Sequence, residues 1–178
     1  MQRLLLLIYL SALTPAVFGQ SGQSRDAVSV FTENVELKNG NLEVTRQTYQ
    51  EFDKKGNVIL EITLNSDSSI KSKDVYSYNK KGNLTKHIEY HSNGDTALIT
   101  MHSYNRFQDK TKTEIFNGTG QIVSTTIYTY DAFGRKTVEL TSDAAGRQLK
   151  RNEFTTDQRW SLNKLTTYDE KNNDVIIK

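Results

Sequence analysis

The chain has 178 residues, no cysteine, and 23 Lys+Arg against 21 Asp+Glu, a formal net charge of +2. A disulfide framework is excluded, and so is a bacterial lipoprotein anchor, which needs a cysteine at its cleavage site. The charge balance gives no counterion-release drive for nucleic-acid binding, and a hydrophobic content of 35% leaves little for a core.

The first nineteen residues read as a secretory signal peptide. Arg3 gives a positive start, Leu4 to Leu10 is an unbroken apolar run, Pro15 breaks it, and Val17-Phe18-Gly19 precedes a cut before Gln20. The run is shorter than the ~20 residues of a spanning helix. No later stretch approaches that length, so no membrane span is expected in the mature chain. Residues 20–34 read as a linker or extended segment and 35–178 as a β-hairpin repeat domain. The expected location is periplasmic or extracellular, without a lipid anchor.

The repeat domain opens around Val35-Glu36-Leu37, and Asn39-Gly40 then signals a two-residue hairpin. Beyond it a 26-residue repeat appears, made of half-units of 12 and 14. Its mark is Phe52-Asp53, Leu64-Asn65, Tyr78-Asn79, Tyr90-His91, Tyr104-Asn105, Phe116-Asn117, Tyr130-Asp131, Ser142-Asp143, Thr156-Asp157 and Tyr168-Asp169. Glycine follows three residues after the Asn or Asp at Gly56, Gly82, Gly120, Gly134 and Gly146, and after His91 at Gly94. Asn or Asp at the first corner and Gly at the fourth marks a type I turn whose glycine takes positive φ. Gln108 and Trp160 stand where that glycine is missing, so their turns are expected to differ.

Between corners the period is two. Val58, Leu60, Ile62 and Leu64 alternate with Asn57, Glu61 and Thr63; Leu84, Ile88 and Tyr90 alternate with Thr85, His87 and Glu89. Ile70 shares a parity with Tyr76 and Tyr78, as does Ile122 with Tyr128 and Tyr130. Even half-units therefore predict one apolar face and an opposite face of Thr, Glu, Lys and Ser. Strands joined by four-residue turns must be antiparallel neighbours. The expected fold is all-β: an antiparallel β-meander of about eleven strands built from 26-residue hairpin repeats, in a curved single sheet. Phe52, Tyr78, Tyr104 and Tyr130 would line one edge, and Leu64, Tyr90, Phe116 and Tyr168 the other.

Tyr128-Thr129-Tyr130-Asp131-Ala132-Phe133-Gly134-Arg135 resembles the YD repeat of RHS-type proteins. So do Tyr76-Ser77-Tyr78-Asn79-Lys80-Lys81-Gly82-Asn83-Leu84 and Thr167-Tyr168-Asp169. The resemblance spans roughly residues 49 to 172. It implies long β-sheets that in that family spiral into shells, often around a toxin domain, with other members acting in cell-surface contact. Departures are clear. About four and a half units are too few for a closed shell, and the only proline, Pro15, lies in the leader, so the proline-bearing autocleavage segment is missing.

Candidate chemistry is sparse. His87 and His91, four apart, would sit about 13 Å apart on a strand, too far for one metal, and His91 reads as a substitute for Asn at a corner. The corner aspartates Asp53, Asp131, Asp143, Asp157 and Asp169 are spread one per turn, unlike a calcium loop. Glu61, Glu89, Glu114 and Glu139 read as solvated cross-strand partners of Lys and Thr. No metal and no cofactor is expected. The candidate ligand-binding residues are Tyr76, Tyr78, Tyr104, Tyr128 and Tyr130, a platform for a protein or carbohydrate at a surface. The functional expectation is an exported, non-enzymatic structural or binding module. The alternatives are a polysaccharide-acting enzyme with carboxylates from separate strands, or a partner or neutraliser of a larger secreted repeat protein.

Overall fold

The computed structural model describes the strand Leu7–Tyr9 and residues 28–156, 162–171 and 174–177. The signal-peptide reading of 1–19 lies outside them apart from that strand, and so does Trp160.

Among the described residues there are thirteen strands and no helix. They are β1 (Leu7–Tyr9), β2 (Val28–Lys38), β3 (Asn41–Phe52), β4 (Val58–Leu64), β5 (Ile70–Tyr78), β6 (Leu84–Tyr90), β7 (Thr96–Tyr104), β8 (Lys110–Asn117), β9 (Ile122–Tyr130), β10 (Lys136–Asp143), β11 (Gln148–Thr156), β12 (Leu162–Tyr168) and β13 (Asp174–Ile177). They follow chain order in one open sheet with no crossover, the expected antiparallel meander. The sheet takes in Val28 to Asn34, which the sequence placed in the extended segment before the repeats. By contact density the chain divides into residues 1–82 with 87–97, and residues 83–86 with 98–178.

Most described corners form from their own first residue, while at the Asn65 and His91 corners Asp67 and Asn93 accept the N–H of Ser69 and Asp95. At Asp53 the Gly56 N–H donates to the Asp53 carbonyl (3.0 Å) and the Asp53 N–H to the Asn57 carbonyl (2.9 Å). The Asp53 carboxylate accepts the N–H groups of Lys55 (2.8 Å) and Asn57 (2.9 Å). Asn105, Asn117, Asp131 and Asp143 repeat this double capture. A short acceptor side chain thus satisfies corner N–H groups that no strand reaches. The Gln108 corner does not differ, contrary to expectation. Gln108 takes φ 73° and keeps the same bonds, Gln108 N–H to the Asn105 carbonyl (3.1 Å) and Asn105 N–H to the Asp109 carbonyl (2.9 Å). The hydrogen bonds of the corner override the preference of a side chain for negative φ.

The corners also overturn the parity argument. A one-residue register shift accompanies them, as between Thr63 and Leu64, Ile115 and Phe116, and Lys136 and Val138. Such a bulge places two residues opposite one and resets the alternation. Thr63 therefore faces Ser72, whereas Leu64 faces Ile70. Ile70 lies with Leu60 and Ile62, on the other face from Tyr76 and Tyr78. Likewise Ile122 faces Phe116 while Ser124 faces Ile115, so Ile122 is separated from Tyr128 and Tyr130. The tyrosines share the polar face, with Glu61 and Asp74 in the first unit and Thr113, Thr126 and Glu139 in the second. Leu64 in the first unit, and Phe116 and Tyr168 in the second, lie on the opposite, more apolar face of their own unit.

No hydrophobic side chain is buried among the described residues; the buried ones are Thr63, Thr113, Asn152 and Thr166. Side chains of the described residues find neighbours beside them along the sheet, as Tyr76 does in His87 and Thr126 in Thr141. Cohesion therefore comes from the ladders and from lateral cross-strand pairs, each contributing roughly 0.2–1 kcal/mol.

Candidate functional site

Three of the five candidate tyrosines use their phenols on the backbone. Tyr78 donates to the Val58 carbonyl (2.8 Å), Tyr104 to the Leu84 carbonyl (2.6 Å) and Tyr130 to the Lys110 carbonyl (2.8 Å). Each bond ties the end of one strand to the start of a neighbour. Burial, first of all, raises all three phenols above their ordinary value. These rings are braces, half-buried along the sheet, and their polar tips are occupied.

The other two candidates each centre a cluster. In the first unit Tyr76 stacks on His87, ring centroids 4.6 Å apart and planes within 8°. His87 Nε2 lies 2.8 Å from Asp74 Oδ1, and Nδ1 lies 3.8 Å from Glu89 Oε1. Asp74 stands directly opposite Glu61, which accepts a hydrogen bond from Gln50. Burial, and then the negative charges of Asp74, Glu61 and Glu89 with neighbouring Tyr78, push the Tyr76 phenol up to about 12. This is an acidic, aromatic patch with one histidine bridging two carboxylates.

In the second unit Tyr128 has the opposite surroundings. The ammonium groups of Lys110 and Lys136 lie 5.3 and 5.1 Å from its ring centroid. Lys136 also lies 5.3 Å from the Phe154 ring and 3.2 Å from Glu139 Oε2. The Tyr128 hydroxyl shares a 3.2 Å hydrogen bond with Thr113, which meets His102 at 2.9 Å. Cations over an aromatic face are attracted by its quadrupole.

Sequence reasoning missed the Glu61–Asp74–His87 grouping. The signal was present as spacing: lateral neighbours are alternately 11 residues apart, as Gln50 and Glu61, and 13 apart, as Glu61 and Asp74. Glu114 and Glu139 find their lysines, Lys112 at 3.0 Å and Lys136, within their own strands and not across them. His91 takes the first corner position, its N–H donating to the Asp95 carbonyl at 2.9 Å. Among the described residues no three His, Asp or Glu side chains converge on a metal-sized site. An open groove of about 880 Å³ runs beside Glu43, Val44, Thr45, Arg46, Thr63 and Lys71. It holds one carboxylate, Glu43, and neither Glu61 nor Asp74. No helix among the described residues is long and apolar enough to cross a membrane.

No family model and no curated protein matches the chain. Solved structures similar to it include a TcdB2-TccC3-Cdc42 complex, at 11% identity over 83% of this chain with a TM-score of 0.31. A Photorhabdus luminescens Tc holotoxin pore matches at 11% identity over 84% of this chain, TM-score 0.30. The chain spans only 11% of the length of either toxin chain. A porin-like protein from Bacteroides uniformis matches at 11% identity, covering 87% of this chain and 91% of its own, TM-score 0.34.

Proposed function

We propose that this chain is an exported, non-enzymatic β-hairpin module of the YD-repeat kind that binds a protein partner at a surface. The carrying observation is the uncovered apolar face of the second unit. Met101 and Ile127 are 43% and 40% exposed there, and Ile127 faces Leu140. The charges around them are paired with each other, Lys112 with Glu114 (3.0 Å) and Arg151 with Glu153 (2.6 Å). A neutral face with exposed apolar side chains suits a protein surface better than a sugar, and such surfaces commonly mark interaction sites. The aspartate corners and tyrosine braces stabilise each hairpin locally, leaving face residues available for contact. The test is a photo-crosslinking residue placed at Ile127 or, on the other face, at Ser124, in cells producing the full chain. A discrete adduct from position 127 and none from 124 supports the reading; no adduct from either overturns it.

A second reading rests on Glu61 and Asp74, which stand opposite each other beside His87. Paired carboxylates can hydrolyse glycosidic bonds. Release of reducing sugar from a polysaccharide panel by the full chain, abolished by Glu61→Gln or Asp74→Asn, would favour this reading over a binding role.

A further inference from the structure

Asparagine precedes glycine three times, at Asn39-Gly40, Asn93-Gly94 and Asn117-Gly118, and the structure treats the three differently. Asn93 is held on both ends of its amide: Oδ1 accepts the Asp95 N–H at 3.0 Å and Nδ2 donates to Asp95 Oδ2 at 2.7 Å. Asn117 is held more fully. Its Oδ1 accepts the Thr119 N–H (3.1 Å), the Gln121 N–H (2.9 Å) and the Thr119 hydroxyl (2.7 Å), and its Nδ2 donates to Gln121 (3.2 Å). Asn39 is exposed at the tip of the β2–β3 hairpin, and no hydrogen bond among the described residues holds its amide. Its φ is 51° and that of Gly40 is 83°, the pair of positive values a two-residue type I′ turn requires. Nothing lies within 4 Å of where a Cβ would stand on Gly40 or on Gly94, but the Gly94 N–H is engaged by the His91 carbonyl at 3.0 Å.

We propose that Asn39 is a site of spontaneous deamidation, and that Asn93 and Asn117 are protected from it by their corner hydrogen bonds. The Gly40 backbone nitrogen, losing its proton, adds to Cγ of Asn39. The bond from Cγ to Nδ2 breaks, and ammonia leaves with that proton. Water then opens the five-membered imide at one of its two carbonyls, giving aspartate or isoaspartate. The first product adds a negative charge at the tip. The second inserts a methylene into the backbone, which the Lys38–Asn41 pairing across the two-residue loop cannot accommodate. The modification thereby loosens the hairpin that links the first long strands.

The test is incubation of the full folded chain in mildly alkaline buffer, followed by peptide mapping for the mass gain of amide-to-acid conversion and an isoaspartate assay. Asn39 is expected to convert at least several-fold faster than Asn93 and Asn117. Equal rates at the three sites, or a slower Asn39, would overturn the proposal. Asp95→Ala removes the acceptor for the Asn93 amide and should speed conversion at Asn93 while leaving Asn39 unchanged. An unchanged rate at Asn93 in that variant, with its circular dichroism retained, would show that the bond from Nδ2 to the Asp95 carboxylate is not what protects it. Asn39→Asp keeps a residue suited to the turn and should abolish the mass gain in its peptide.

Discussion

Tyr130 donates its phenolic hydrogen to the carbonyl of Lys110 at 2.8 Å, across twenty residues of sequence. The bond spans from the end of β9 to the start of β8 and satisfies a carbonyl beside a bulged corner. Tyr130→Phe keeps the ring and deletes the bond. A loss of about 1 kcal/mol in urea unfolding is expected, the usual net value of one such bond. An unchanged midpoint would mean the phenol is not a brace.

The corner aspartates make stability depend on pH at the acid end. The Asn57 side chain and then the Asn57 N–H hold Asp53 below its ordinary value of 3.8. The Arg147 N–H and then its guanidinium do the same for Asp143, from the same 3.8. A carboxylate with a folded pKa below its unfolded one stabilises the fold above the unfolded value, and this contribution is lost as pH falls through the folded value. The unfolding midpoint should therefore drop as pH falls below about 4. Asp53→Asn with Asp143→Asn should flatten that decline, and an equally steep decline in the double variant would assign it to other groups.

Ser68 sits at the fourth corner position with φ 65°, where glycine stands at the related corners. A side chain there costs roughly 1–2 kcal/mol, partly offset by the larger unfolded-state entropy of glycine. Ser68→Gly should raise the unfolding midpoint modestly. Gly134→Ala, at φ 78°, should lower it by about 1 kcal/mol, within the range for a left-handed non-glycine residue. A lowered midpoint for Ser68→Gly together with a raised one for Gly134→Ala would mean the corners are not what the sequence repeat encodes.

The hairpins themselves were legible because their chemistry is local: Asp131 and Gly134 need only each other and two backbone N–H groups to make a corner. Which face a residue takes was not, because each corner inserts a bulge that residue counting misses. Ile70 and Tyr76 share a parity in the sequence and lie on opposite faces in the sheet. The same blind spot hid His87 between Asp74 and Glu89, since lateral neighbours depend on register. The tyrosine positions stand out in the repeat. Yet the sequence could not tell a ring that braces, such as Tyr104, from one that centres a charged cluster, such as Tyr128. Gln108 went astray for a different reason, the corner hydrogen bonds outweighing the side chain's own preference.

The most direct measurement exploits a chain without cysteine. The bulge near the end of β8 places Phe116 opposite Ile122, whereas continuing the register that sets Ile115 opposite Ser124 would place Val123 there. Under mild oxidation Phe116→Cys with Ile122→Cys should form an intramolecular disulfide readily, and Phe116→Cys with Val123→Cys should not. The reverse pattern would contradict the register on which both faces, the tyrosine clusters and the proposed binding surface depend.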